Sequence, residues 1–97
     1  MPYEIILAPE AVEDLRGLPA HIRASVREAI EKHLRHEPGK VSKSRIKRLR
    51  GMKRPQYRLR VEEIRVYFDI AEHAVEVLAI IPKSETQAWL QGQGVRA

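Results

Sequence analysis

Residues 56–70, QYRLRVEEIRVYFDI, constrain the fold more than any other stretch of this chain. Tyr57, Leu59, Val61, Ile64, Val66, Phe68 and Ile70 alternate with Arg58, Arg60 and Arg65, a period of two that belongs to strands. Successive side chains of a strand point to opposite faces, so two strands joined by Glu62 and Glu63 present one apolar face and one row of arginines. The apolar face requires a covering layer. The arginine row gains nothing for a folded domain unless something anionic meets it.

The N-terminal third supplies the cover. YEIIL at 3–7 reads as a short strand, rich in β-branched and aromatic residues. From Ala8 to Arg16 the period becomes helical, with Pro9 in the first turn and Glu10, Glu13 and Asp14 near the N-terminal end. GLP at 17–19 breaks that helix. Ile22, Val26, Ala29, Ile30 and Leu34 then mark the apolar stripe of a second helix, giving a helical hairpin.

EPGKVSKS at 37–44 is a loop, after which alternation returns. Residues 45–51, 56–61, 64–70 and 74–81 are strand candidates, and short connections between the last three predict an antiparallel meander. AVEVLAII is apolar on both faces, as a central strand would be. Pro82 ends it, and SETQAWL at 84–90 starts a short terminal helix with Ser84 as its N-cap. The expected fold class is α+β: an N-terminal strand and helical hairpin packed on one face of a small antiparallel sheet, with a short C-terminal helix. Arg58, Arg60 and Arg65 are then expected on an uncovered face.

With 97 residues and no cysteine, the chain is expected to be one domain, 1–97, without a disulfide framework or thiolate chemistry. No apolar run approaches the ~20 residues of a membrane span, and MPYEIILAPEAVEDL lacks a basic start and cleavage site, so a cytoplasmic location is expected. Residues 43–65 hold ten Lys or Arg against Glu62 and Glu63, a balance of +8, while the remaining chain has eight basic and eleven acidic residues, a balance of −3. A positive field concentrated in one quarter of the sequence points to a phosphate-bearing or acidic partner.

LRGM at 49–52, QYRLRV, IRVYFDI and VEVLAIIPKSE, following a strand and a helical hairpin, resemble the RelE/ParE superfamily of type II toxins. The resemblance runs from Tyr3 to Leu90. It implies a toxin that cleaves messenger RNA on the ribosome and blocks translation, without metal or cofactor, and that is held inactive by a cognate antitoxin. The implied chemistry is attack of a ribose 2′-hydroxyl on the adjacent phosphate, with basic side chains stabilising the phosphorane. Arg58 and Arg60 match the paired basic residues of the family's strand, Arg65 the arginine of the next strand, and Lys83 the basic residue of the following turn. Arginine keeps its proton in nearly all settings, so Lys83 is the member of this set suited to proton transfer.

The family's arginine beside the Lys83 position is Ser84 here, and its terminal aromatic hydroxyl is replaced by Trp89 and Leu90. These departures keep two alternatives open: a ParE-like protein that poisons DNA gyrase without nuclease chemistry, and a family member that binds RNA or antitoxin without catalysis. Lys47, Arg48, Arg50, Lys53 and Arg54 are expected to add salt-dependent RNA affinity. Tyr67, on the arginine face, and Trp89 are candidates for stacking on RNA bases. His21, His33, His36 and His73 fall on the second helix, its end and a hairpin turn, away from that face, and no metal site is expected.

Overall fold

The computed structural model describes residues 2–97. Strand β1 (Glu4–Leu7) leads directly into α1 (Pro9–Arg16), and α2 (Ala20–Leu34) follows. Pro9 occupies the first turn of α1, where its missing N–H costs nothing, and Gly17 closes it with an N–H donated to the Glu13 carbonyl at 3.1 Å. Pro19 stands at the N-cap of α2. The break at 17–19 is therefore a helix end and a helix start placed back to back.

Five further strands follow: β2 (Ile46–Arg48), β3 (Met52–Arg54), β4 (Tyr57–Val61), β5 (Ile64–Ile70) and β6 (Ala74–Pro82). A single turn of 3-10 helix at Lys83–Glu85 enters α3 (Thr86–Gln93), and β7 (Val95–Arg96) ends the chain. No helix among the described residues is long and apolar enough to cross a membrane.

The main sheet has the order β1-β6-β5-β4-β2. The meander β4-β5-β6 is antiparallel, as the short connections predict. β1 lies parallel to β6, which makes the sheet mixed rather than purely antiparallel and gives β6 a neighbour on each side. The stretch at 45–51 divides: Ile46–Arg48 pairs with β4, and Gly51, at φ 71, turns the chain into β3, which pairs with β7 in a separate ribbon. That positive φ favours glycine. Ser84 does not cap α3. It lies inside the 3-10 turn, and the α3 N-cap is Glu85, with no side-chain hydrogen bond.

One face of the sheet carries the core. Ala11, Leu15, Val26, Ile30 and Leu34 from the helices meet Leu59, Val61, Ile64, Val66, Phe68, Val75, Val77 and Ile80 from the strands. Each fully buried side chain of this kind is worth about 1.5–3 kcal/mol of transfer free energy. Phe68 also stacks on Tyr57, with ring centroids 5.5 Å apart. In β6, Leu78 is the extra residue between the pairs Tyr67↔Ala79 and Phe68↔Val77. This bulge reverses the alternation. Val75 and Val77 face the helices, whereas Ala79 and Ile81 join a second cluster on the opposite side. Beyond Val77, where β1 ends, the Ile80 N–H donates instead to Asp14 Oδ2 of α1 at 3.0 Å.

Candidate functional site

The second sheet face is where the arginine row emerges, and it is only half open. Tyr67, Ala79 and Ile81 form a small buried cluster there, roofed by Leu49 and Trp89. Trp89 lies almost parallel to Tyr67, with centroids 5.2 Å apart, and the Tyr67 hydroxyl donates to Thr86 Oγ1 at 2.9 Å. Helix α3 thus covers the end of the face where an uncovered surface was expected. The reason is that three neighbouring side chains on this face, Tyr67 of β5 with Ala79 and Ile81 of β6, are too apolar to leave in water.

The cover changes how two expected RNA-stacking residues stand. Tyr67 is 1% exposed, so its ring offers no surface to a base. Trp89 is half-buried against it. Arg65, expected on the open face, is 7% exposed. Its guanidinium donates to the carbonyls of Glu62, at 2.6 Å, and Ile64, at 3.0 Å. It thereby ties down the β4–β5 turn, where Glu62 holds a left-handed φ of 54.

Arg58 and Arg60 remain on the open part of the face. Strand register sets Lys47 opposite Arg58 and Arg60 opposite Arg65. Like charges placed directly across two strands repel, at a cost of about 0.2–1 kcal/mol per pair. Among the described residues, no carboxylate pairs with Lys47, Arg58, Arg60, Arg65 or Lys83. Burial, followed by the neighbouring charge of Arg65, holds the Arg58 guanidinium below its ordinary range, and its Nε–H is enclosed without an acceptor. Lys83 is exposed at the same end of the sheet, its backbone N–H donated to the Glu63 carbonyl at 2.7 Å.

The other basic residues divide three ways. Arg54 is paired with Glu76 at 3.2 Å and Asp69 at 3.9 Å, so it is neutralised within the fold rather than free for a partner. Burial raises the Asp69 carboxyl, against the Gln56 N–H that donates to it at 2.7 Å. Arg48 lies over the Tyr57 ring, 5.2 Å from its centroid, and donates to the Gln56 carbonyl at 2.8 Å, on the opposite side of the sheet from Lys47. Lys53 is exposed on β3.

Arg50 and Lys47 border a groove of about 520 Å³ floored by Leu49, Met52 and Leu90. Arg96 completes its rim, donating to Met52 Sδ at 3.7 Å. Sequence reading missed Arg96, because only the pairing of β7 with β3 brings the chain end to this place. Gly94 permits the approach: a Cβ there would lie 2.5 Å from both the Leu90 carbonyl oxygen and Met52 Cε.

The fold is shared with solved toxin structures. The RelE–RelB complex from Pyrococcus horikoshii OT3 matches with a TM-score of 0.70 at 23% identity, over 86% of this chain and 97% of that one. The toxin–antitoxin complex RelBE2 from Mycobacterium tuberculosis matches with a TM-score of 0.67 at 27% identity, over 84% of this chain and 99% of that one. A mutant of Escherichia coli RelE in the free state matches with a TM-score of 0.69 at 17% identity, over 92% of each chain. A search by sequence among curated proteins finds no match.

Strand, helical hairpin, mixed sheet and short terminal helix are the architecture that this chain shares with those solved structures. The model described as ParE toxin of type II toxin-antitoxin system, parDE, matches residues 5–86, and the chain belongs to that family.

Proposed function

We propose that this toxin is an endoribonuclease of the RelE kind, cutting messenger RNA on the ribosome and so inhibiting translation. The reading rests on one observation: Lys47 opposes Arg58 and Arg60 opposes Arg65 on one sheet face, with no carboxylate among the described residues to neutralise them. A phosphodiester placed over Arg58 and Arg60 relieves that repulsion and accepts from their guanidinium N–H groups. In the reaction the 2′-oxygen attacks the adjacent phosphorus and the bond to the 5′-oxygen breaks. The products are a 2′,3′-cyclic phosphate and a free 5′-hydroxyl.

In this reading Arg58 and Arg60 hold the phosphate oxygens and stabilise the phosphorane's extra charge. Arg65, sunk beneath them, adds to the field and fixes the 62–63 turn. The exposed Lys83 ammonium donates the proton that the departing 5′-oxygen requires. No carboxylate or imidazole stands in this row among the described residues, so removal of the 2′ proton falls to groups around the ribosome-bound transcript.

Such a toxin, taken as one domain over 1–97, works in the cytoplasm and is restrained by an antitoxin. The two complexes above are toxin–antitoxin pairs. An acidic, partly apolar antitoxin segment fits a face that combines Arg58, Arg60 and Lys47 with Leu49 and Leu90. The matched family model favours a second reading, a ParE-like gyrase poison that acts through protein contacts.

Controlled expression in bacteria with mapping of 5′ ends on a test transcript decides between them. New ends that require translation and vanish in Arg58→Ala/Arg60→Ala support cleavage. Growth arrest with an intact transcript and a DNA-damage response supports the gyrase reading.

A further inference from the structure

The last turn of α2 and the loop after it enclose a groove of about 350 Å³ that the sheet-face chemistry does not use. Its walls carry Lys32, His33, His36, Lys40 and Arg45 against one carboxylate, Glu37. Glu37 reaches only Lys40, at 4.0 Å, and both of these side chains are more than two-thirds exposed. Lys32 and Arg45 have no carboxylate partner among the described residues. Ser42 Oγ accepts the backbone N–H groups of Arg45, at 3.1 Å, and Ile46, at 3.3 Å, which fixes the loop and leaves the Ser42 hydroxyl proton free to donate.

A helix C-terminus attracts cations by itself, and that accounts for part of this charge. It does not account for Lys40 and Arg45, which come from outside the helix. Nor does it prevail at His33. Burial first, then the charges of Arg45 and Lys32, hold the His33 imidazole below its ordinary range. The groove is therefore positive beyond what the helix end neutralises. It also adjoins the sheet face, because the Arg60 N–H donates to the Arg45 carbonyl at 2.9 Å. A strand of RNA leaving Arg60 round the β2 edge arrives at Arg45.

We propose that this groove is a second phosphate site, which holds a backbone phosphate of RNA between Lys32, Arg45 and Lys40. The inference rests on RNA lying across Arg58 and Arg60, as in the reading above, but not on its being cleaved there. Groups lining the two hollows that His33 borders are Lys32, Ser25 and Glu28 on α2, His36, Glu37, Lys40, Ser42 and Arg45 after it, and Glu62 at the β4–β5 turn. Phosphate binding opposes the repulsion from Arg45 and Lys32, so affinity rises as pH falls.

The test follows the His33 ring resonances of the full chain through a pH titration, with inorganic phosphate or with a 2′-deoxy decamer that cannot be cleaved. With the decamer the His33 midpoint is expected to rise by about one pH unit, equivalent to about tenfold tighter binding by the protonated form. Lys32→Gln/Lys40→Gln is expected to lower the slope of log affinity against log salt by about 1.4, about 0.7 for each lost phosphate contact. A decamer that shifts the Arg58 and Arg60 amides and leaves His33 unmoved overturns this inference while sparing the cleavage reading. A His33 response to inorganic phosphate alone overturns the RNA assignment and makes the groove a site for the free ion. No response to either probe removes the site altogether.

Discussion

Replacing Arg58 with methionine keeps the apolar stem of the side chain and removes one charge from a face that has no counter-ion among the described residues. Lys47 lies directly opposite, and Arg65 lies diagonally across the β4–β5 ladder. An opposed like-charge pair costs about 0.2–1 kcal/mol and the diagonal one less, with solvent screening at this half-exposed position pulling both toward the lower values. Release of the enclosed Nε–H, which has no acceptor, adds to the gain. Arg58→Met is therefore expected to stabilise the protein by about 1 kcal/mol, raising Tm by about 5 °C for a chain of this size, while abolishing toxicity. The assay is thermal unfolding at 50 mM and 1 M salt. At 1 M the screening length falls to ~3 Å, so at least half of the gain should disappear. A loss of stability at low salt, or a gain insensitive to salt, would refute the argument that repulsion on this face is retained for binding an anion.

The fold makes further demands. Arg60→Ala, which removes the charge opposed to Arg65, is expected to lower the salt slope of RNA binding by about 0.7 without loss of stability, whereas Arg54→Ala, which breaks the pairing with Glu76 and Asp69, should lower stability and leave that slope alone. Binding isotherms beside unfolding curves separate the two, and an exchange of these effects would reverse the assignments. Asp14→Ala, measured by urea unfolding, should cost about 1.5–3 kcal/mol because the Ile80 N–H loses a charged acceptor. A neutral result would mean that water replaces it. Tyr67→Phe should cost about 1 kcal/mol and loosen α3, read by faster amide exchange at 86–90. His33 is held below 6.5 in the folded chain, so its contribution to stability is present above that pH and is lost as pH falls through the lowered value. His33→Gln should flatten the acid limb of the stability curve, and an unaltered slope would place the loss at other groups.

Much of the fold is legible in the chain because period and punctuation are local. Alternation from Tyr57 to Ile70, the stripe from Ile22 to Leu34, and Pro9, Gly17 and Pro19 each report on neighbours a few residues away. The meander and its apolar face follow from these alone. Less of the site was legible. Arg58 and Arg60 come from parity, and Lys83 from position. The ion pairs of Arg54, the burial of Tyr67 and Arg65, and the place of Arg96 depend on residues far apart in sequence.

The sequence by itself determined the order of the first strand, the helical hairpin, the meander and the terminal helix, which residues of β4 and β5 face the helices, and that a row of arginines stands on the other side. Tertiary structure alone decided that β1 runs parallel to β6, that a bulge at Leu78 turns Ala79 and Ile81 to the arginine face, and that α3 folds over them. Parity is a property of one strand, set by covalent geometry. Which surface then meets water depends on what arrives from elsewhere to bury the apolar remainder, and α3 arrives because Tyr67, Ala79 and Ile81 need a roof.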